Sequence, residues 1–222
     1  MQQNSLPADL GSWLRANTLA VGLCLTVFLI LLVGWFFMFG KPHPPVRIGL
    51  LHALSGPMAV SEGPMVEAEL LAIAELNEEG GVMGRKVEPI VSDTASRTDT
   101  AVHRVEELIN KDKVSAIIGC WTSACRKSVK PVIERHNALM IYPMAYEGLE
   151  TSSNIVYTGA APNQQVLPAV NWAYENLGTR FYLIGSDYIW PRTSNKIARK
   201  HIENVIKGEV VGEEYYPLGN TQ

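Results

Sequence analysis

Apolar and polar positions change their spacing several times along this chain, and each change marks an element. From residue 18 to residue 39 there is no charge, and Leu, Val, Ile and Phe dominate. Such a stretch as a helix would measure about 33 Å, enough to cross a hydrocarbon layer of roughly 30 Å. Trp35, Phe36, Phe37 and Phe39 crowd one end, as an interfacial aromatic belt does. The exit Phe37–Met38–Phe39–Gly40–Lys41 lacks the small-x-small pattern of a cleaved signal, so 18–40 reads as an uncleaved transmembrane signal anchor. Arg15 precedes it while Lys41 and Arg47 come after, which leaves the charge rule without a clear orientation. An anchor this near the start more often exports the domain behind it, so an extracytoplasmic placement is expected. Residues 1–17 read as a polar leader, and the proline-rich 41–46 as a stiff spacer.

Beyond the spacer the pattern alternates between short apolar runs and helical stripes. Strands are expected at 46–51, 87–92, 114–119, 139–142 and 154–157, with helices at 64–79, 99–111 and 124–135. In the first helix Val66, Leu70, Ile73 and Leu76 share one stripe. A second series starts after Gly159–Ala160–Ala161–Pro162, with helices at 163–176 and 192–205 and strands at 181–185 and 209–216. Strands alternating with amphipathic helices predict α/β architecture with parallel sheets. The break near 158–162 suggests two lobes, 47–159 and a partial 160–222. Ligands of open α/β sheets bind beyond the carboxyl ends of strands. That singles out the loops 51–61, 121–123, 142–148 and 186–192.

The most informative of these comes after the third strand. Ile117 and Ile118 suit a buried strand, Gly119 a sharp turn, and Ser123 the N-cap of the helix 124–135. A helix start offers unsatisfied N–H groups to a carbonyl or carboxylate, and Trp121 would wall that position. Hydroxyls and rings recur in the other loops, at Ser55, Tyr142, Tyr146, Tyr188 and Trp190, which suits a snug cavity for a neutral or zwitterionic solute.

Composition narrows the function. A net charge of −3 and 18% charged residues leave no basic field for nucleic acid. His43, His52, His103, His136 and His201 are dispersed, no G-x-G-x-x-G or Walker-type loop follows a strand, and no metal or cofactor is expected. His52 and Asp187 would be the only acid–base pair, with no activated nucleophile beside them, and His52 reads as a structural hydrogen-bonder. Cys120 and Cys125 are poorly spaced for zinc, and a strand end and a helix position five residues on rarely meet disulfide geometry, so both read as free thiols.

Long strings carry a resemblance. They include Gly49–Leu50–Leu51–His52–Ala53–Leu54–Ser55–Gly56, Asn77–Glu78–Glu79–Gly80–Gly81–Val82–Met83–Gly84–Arg85–Lys86, Gly119–Cys120–Trp121–Thr122–Ser123 and Gly185–Ser186–Asp187–Tyr188–Ile189–Trp190–Pro191–Arg192. On these the stretch 47–218 resembles type I periplasmic solute-binding proteins, within them the branch of urea-transporter binding proteins and amide-sensing regulators. The resemblance implies two Rossmann-like parallel-sheet lobes, the second incomplete, closing on urea or a short amide. It implies that Ser123 and the backbone beside it hold the solute's polar end within an aromatic cage of Trp121, Tyr142, Tyr188 and Trp190, with Ser55, Thr122, Met144, Ala145 and Tyr146 as further ligand-binding residues. Relatives usually carry Tyr where Trp190 stands, and more polar pairs at Met144 and Ala145, so a bulkier amide would fit. The family domain runs well past residue 218, so the chain is expected to be part of a longer protein. The function expected is a membrane-anchored ligand input of a sensor, partnered by a signalling module. The alternative is the binding component of an ABC importer, partnered by its permease, and an amidase is a distant third.

Overall fold

The structure, a computed structural model, describes residues 18–39 and 43–217. The expected leader, the start of the spacer at Lys41–Pro42 and residues 218–222 lie outside the described residues. The chain separates into two units, 1–44 and 45–222.

In the first unit a helix α1 runs Thr18–Phe39. Thr26 donates its hydroxyl to the Gly22 carbonyl one turn back, 2.8 Å away, so the one polar side chain in mid-helix is satisfied internally. Among the described residues no helix is long and apolar enough to cross a membrane.

The second unit begins with β1 (Val46–His52), α2 (Ala59–Glu78), β2 (Val87–Asp93), α3 (Thr98–Asn110) and β3 (Ala116–Gly119). It continues with α4 (Ser123–Arg135), β4 (Met140–Tyr142) and β5 (Ile155–Tyr157). These strands form one parallel sheet in the order β2-β1-β3-β4-β5. The order reverses between β1 and β3, which makes their carboxyl ends the crevice of a doubly wound sheet. Pro89 lies in β2, which is the edge strand, so its missing N–H costs no ladder bond on the outer side. Leu51, Val105, Leu108, Ile117, Val129, Ile133 and Met140 fill the core between sheet and helices. Gly119 ends β3 with φ of 138°, and a Cβ there would stand 2.1 Å from the Leu51 carbonyl oxygen. Only glycine permits that approach of β3 to β1 at the mouth of the crevice.

The second series gives α5 (Val166–Asn176), β6 (Arg180–Ser186), α6 (Ile189–Asn204) and β7 (Glu209–Tyr216), with β6 and β7 paired in parallel. His201 on α6 meets the Asn171 side chain on α5 at 2.6 Å, and Arg199 ties α6 to Glu213 of β7 at 2.6 Å.

Element types match the hydrophobic pattern, whereas several ends move. α2 starts five residues before Pro64, so the proline sits inside the helix rather than at its first position. Its buried face also differs from the expected stripe. Leu70 and Leu76 are exposed, while Glu62, Glu69 and Asn77 turn inward beside the expected Val66 and Ile73. The reason is polar: Asn77 exchanges two hydrogen bonds with the backbone of Val87, at 2.7 and 2.8 Å, and the two glutamates serve His52. α5 begins three residues late, after a turn at Pro162, and α6 begins at Ile189, directly after Tyr188.

Candidate functional site

The helix-start turn after β3 is built differently from the expected one. α4 begins at Ser123 and its N-cap is Thr122, whose Oγ1 accepts from the Cys125 N–H at 3.1 Å. That moves the cap one residue back and frees the Ser123 side chain to point inward, where it is 1% exposed. The cysteines are also not free thiols: Cys120 and Cys125 form a disulfide. The spacing rule failed here because α4 starts at once after the turn, which brings the two Cα atoms to 5.8 Å. The bridge closes a small ring around Trp121, Thr122, Ser123 and Ala124, the residues of the turn itself. Loop-closure entropy for so short a ring corresponds to about 2 kcal/mol. Thermal melting with and without a phosphine reductant should show that loss, and the Cys120→Ser/Cys125→Ser variant should show it without reductant.

Beneath the turn lies a cluster centred on Arg126, which is fully buried. Residues 126, 129 and 133 share one face of α4, so the cation occupies a place in an otherwise apolar stripe. Its Nη2 donates to Glu147 Oε2 at 2.7 Å, its Nε to Glu150 Oε1 at 3.0 Å and its Nη1 to Ser123 Oγ at 3.2 Å. The guanidinium lies 4.7 Å from the centroid of the Tyr142 ring. Tyr142 donates its hydroxyl to the Trp121 carbonyl at 2.8 Å, so ring and cation together support the turn from below. Burial pushes the carboxyls of Glu147 and Glu150 up, but the donors around them outweigh it and both titrate below the usual range.

His52, at the end of β1, is also fully buried. Glu62 and Glu69 stand two turns apart on α2 and reach its two ring nitrogens at 3.3 and 3.1 Å. Asp187 is engaged elsewhere, by Arg192 at 2.6 Å, and both ring nitrogens of His52 are taken, so the expected His52–Asp187 pair does not assemble.

Above the turn is a cavity of about 760 Å³, within the roughly 300–1,000 Å³ of small-molecule sites. Of the residues expected in the site, Trp121, Ser123, Met144, Ala145, Tyr188 and Trp190 line it. Met144 and Ala145 are held there by Gly159, where a Cβ would stand 2.1 Å from the Met144 carbonyl group. The remaining expected residues are not part of its lining. Thr122 is the cap, Tyr142 is buried under the turn, and Tyr146 stacks on Tyr157 with centroids 4.5 Å apart. Ser55 donates to Asp93 at 2.7 Å in the exposed β1–α2 loop. Residues that the sequence reading did not single out complete the lining, among them Val170, Phe181, Leu183, Ser194 and Asn195 from the second series. For Val170, Phe181 and Leu183 the one advance signal is apolar periodicity, which core positions share, and Ser194 and Asn195 gave none. No ionised side chain belongs to the lining among the described residues. Such a site holds a solute by hydrogen bonds and apolar contact, and suits a neutral or zwitterionic guest.

Comparison with known proteins agrees with this architecture. A family model described as "Periplasmic binding protein domain" matches residues 46–222. The Leu/Ile/Val-binding protein BraC3 of Rhizobium johnstonii is 26% identical over 148 residues, covering 65% of this chain and 40% of that protein. A leucine-, isoleucine-, valine-, threonine- and alanine-binding protein of Pseudomonas aeruginosa is 26% identical, over 54% of this chain and 32% of its own length. Among solved structures, the branched-chain amino acid transporter substrate-binding protein LivJ of Streptococcus pneumoniae, in complex with isoleucine, superposes with a TM-score of 0.73. It is 24% identical and covers 80% of this chain and 51% of that one. A solute-binding protein of an ABC transporter from Rhodopseudomonas palustris, in complex with 3,4-dihydroxybenzoic acid, gives a TM-score of 0.70 at 26% identity. It covers 80% of this chain and 48% of that one, so the chain spans about half the length of these solved relatives.

Proposed function

The chain belongs to the periplasmic binding protein family, and from that premise we propose that it captures a small solute outside the cytoplasm and passes it to an ABC-type permease. The observation that carries this reading is the cavity shared by the two strand–helix series. Trp121 and Ser123 come to it from the α4 start, and Tyr188 and Trp190 from the α6 start. Hinge closure of two lobes on such a cavity buries the guest without altering it. The disulfide supports an oxidising compartment. The importer stands ahead of a sensor input domain because the similar proteins carry the names of transport and amino-acid-binding proteins.

The solute we propose is an amino acid with an apolar side chain. The uncharged lining accepts a zwitterion, Val170, Phe181 and Leu183 offer an apolar wall, and the cavity is far larger than urea requires. Short amides and urea, implied by the sequence resemblance, are the second reading, supported by the strings around Ser123 and Tyr188. Titration calorimetry of the full chain against leucine, valine, acetamide, urea and 4-hydroxybenzoate tests both. Saturable heat from leucine or valine is expected, heat from acetamide or urea alone would move the assignment to the amide branch, and none from any solute would overturn the binding reading. We propose further that α1 anchors the chain in a membrane, on the uncharged 18–39 stretch. The chain should stay with membranes through an alkaline carbonate wash, and release by that wash would overturn the anchor.

A further inference from the structure

The two carboxylates around Arg126 are not equivalent. Glu150 is saturated: Oε1 accepts from Arg126 and from the Tyr157 hydroxyl, at 3.0 and 2.7 Å, and Oε2 accepts from Lys127 at 3.2 Å. Glu147 is 3% exposed and receives Arg126 on Oε2, while its Oε1 has no hydrogen-bond partner among the described residues. The Ser123 hydroxyl and the residue's own N–H lie near enough to favour the negative charge, yet neither makes a hydrogen bond of ordinary geometry to Oε1. A buried carboxylate oxygen left unpaired carries an uncompensated desolvation penalty. Glu147 is not itself part of the cavity lining, but it shares Arg126 with Ser123, which is, and its Oε1 is an acceptor without its donor.

Its surroundings say where that donor would come from. Ser123 and Glu147 accept from Nη1 and Nη2 of one guanidinium, so both are gathered around the same cation. Ser123 lines the cavity, and Tyr188, which lines it from the second series, is near enough to feel the charge of Glu147. A solute whose hydrogen-bond acceptor and N–H donor lie two or three bonds apart matches this pair. The acceptor meets the Ser123 hydroxyl and the start of α4, and the donor meets Glu147. α-Amino acids and primary amides have that arrangement, whereas a hydroxybenzoate carries its donor on the far side of a ring.

Resting on the proposed solute-binding role, we infer that Glu147 is the specificity-determining acceptor for the N–H end of the solute. Matched pairs test it: leucine against 4-methylpentanoate, and acetamide against N,N-dimethylacetamide, each titrated into the full chain and into Glu147→Gln. The parent chain should prefer the N–H-bearing member by about ten- to a hundred-fold, and the pair that shows the preference identifies ammonium or amide as the donor. In Glu147→Gln the preference should collapse. A parent that binds without discriminating, or a folded variant that still discriminates, overturns the inference and leaves the binding role intact. A parent that binds no member of either pair and none of the wider solute set overturns the binding role with it. Glu147→Asp, which keeps the charge beside Arg126 but withdraws the oxygen by one methylene, supplies the same reading if the Gln variant melts early. Full discrimination by the Asp variant also counts against the inference.

Discussion

Arg126→Met should unfold with about 3–5 kcal/mol less free energy than the parent chain. The size of the loss comes from the groups the substitution leaves behind. Glu147 and Glu150 would remain at 3% and 12% side-chain exposure with no guanidinium between them. Lys127 reaches only the outer oxygen of Glu150, at 3.2 Å, and cannot take the place of a fork that also holds Ser123. The rings of Tyr142, Tyr146 and Tyr157 would lose the cation they face, at 4.7 to 5.9 Å. Arg126→Lys should recover only part of the loss, because an ammonium cannot address three acceptors in one plane. Urea-denaturation midpoints of the three proteins check this. A loss under about 1 kcal/mol for the methionine variant would mean that the cluster is far less dry than its burial indicates.

Stability should also fall as pH rises from about 6.5 to about 9, by about 3 kcal/mol across that window. The source is His52. Burial alone would push its pKa down, but Glu62 and Glu69 grip both ring nitrogens and raise it from 6.5 to about 9. A group bound more tightly to its proton in the folded chain stabilises fully below the unfolded value of 6.5. That stabilisation is lost as pH passes through the folded value. The Glu62 carboxylate is itself fixed by the Ala53 N–H at 3.0 Å, so it cannot swing away when the imidazole is neutral. Thermal melts from pH 6 to 9.5 should show the decline, and His52→Gln should flatten it. A parent profile that is level over this range would show that the imidazole is neutral when folded.

Much of this arrangement was legible before the fold was seen, for reasons that differ by element. Alternation of short apolar runs with amphipathic stripes is a property of each element alone, so the strands and most helices could be placed from the sequence. α2 misled because leucines at 70 and 76 outweighed glutamates at 62 and 69 in a hydrophobic reading, although the glutamates had the buried partner. The cap moved from Ser123 to Thr122 because both residues are good caps, and the choice depends on Arg126 claiming the serine from below. Arg126 itself was readable in principle: a basic residue in the stripe of Val129 and Ile133 has to meet an anion somewhere. Which anion was not readable, since Glu147 and Glu150 lie in a loop beyond β4. The inner wall of the cavity escaped for the same reason, being assembled from residues distant along the chain whose local pattern is that of ordinary core.

The bridge between Cys120 and Cys125 has a practical corollary for anyone handling this protein. Material made in a glutathione-rich cytosol will arrive with two thiols in place of the bridge and a slack Trp121–Ser123 turn. Its calorimetric titrations would then describe a different molecule from the oxidised one, so export to the periplasm, or oxidative refolding followed by a thiol count, should precede any measurement of affinity.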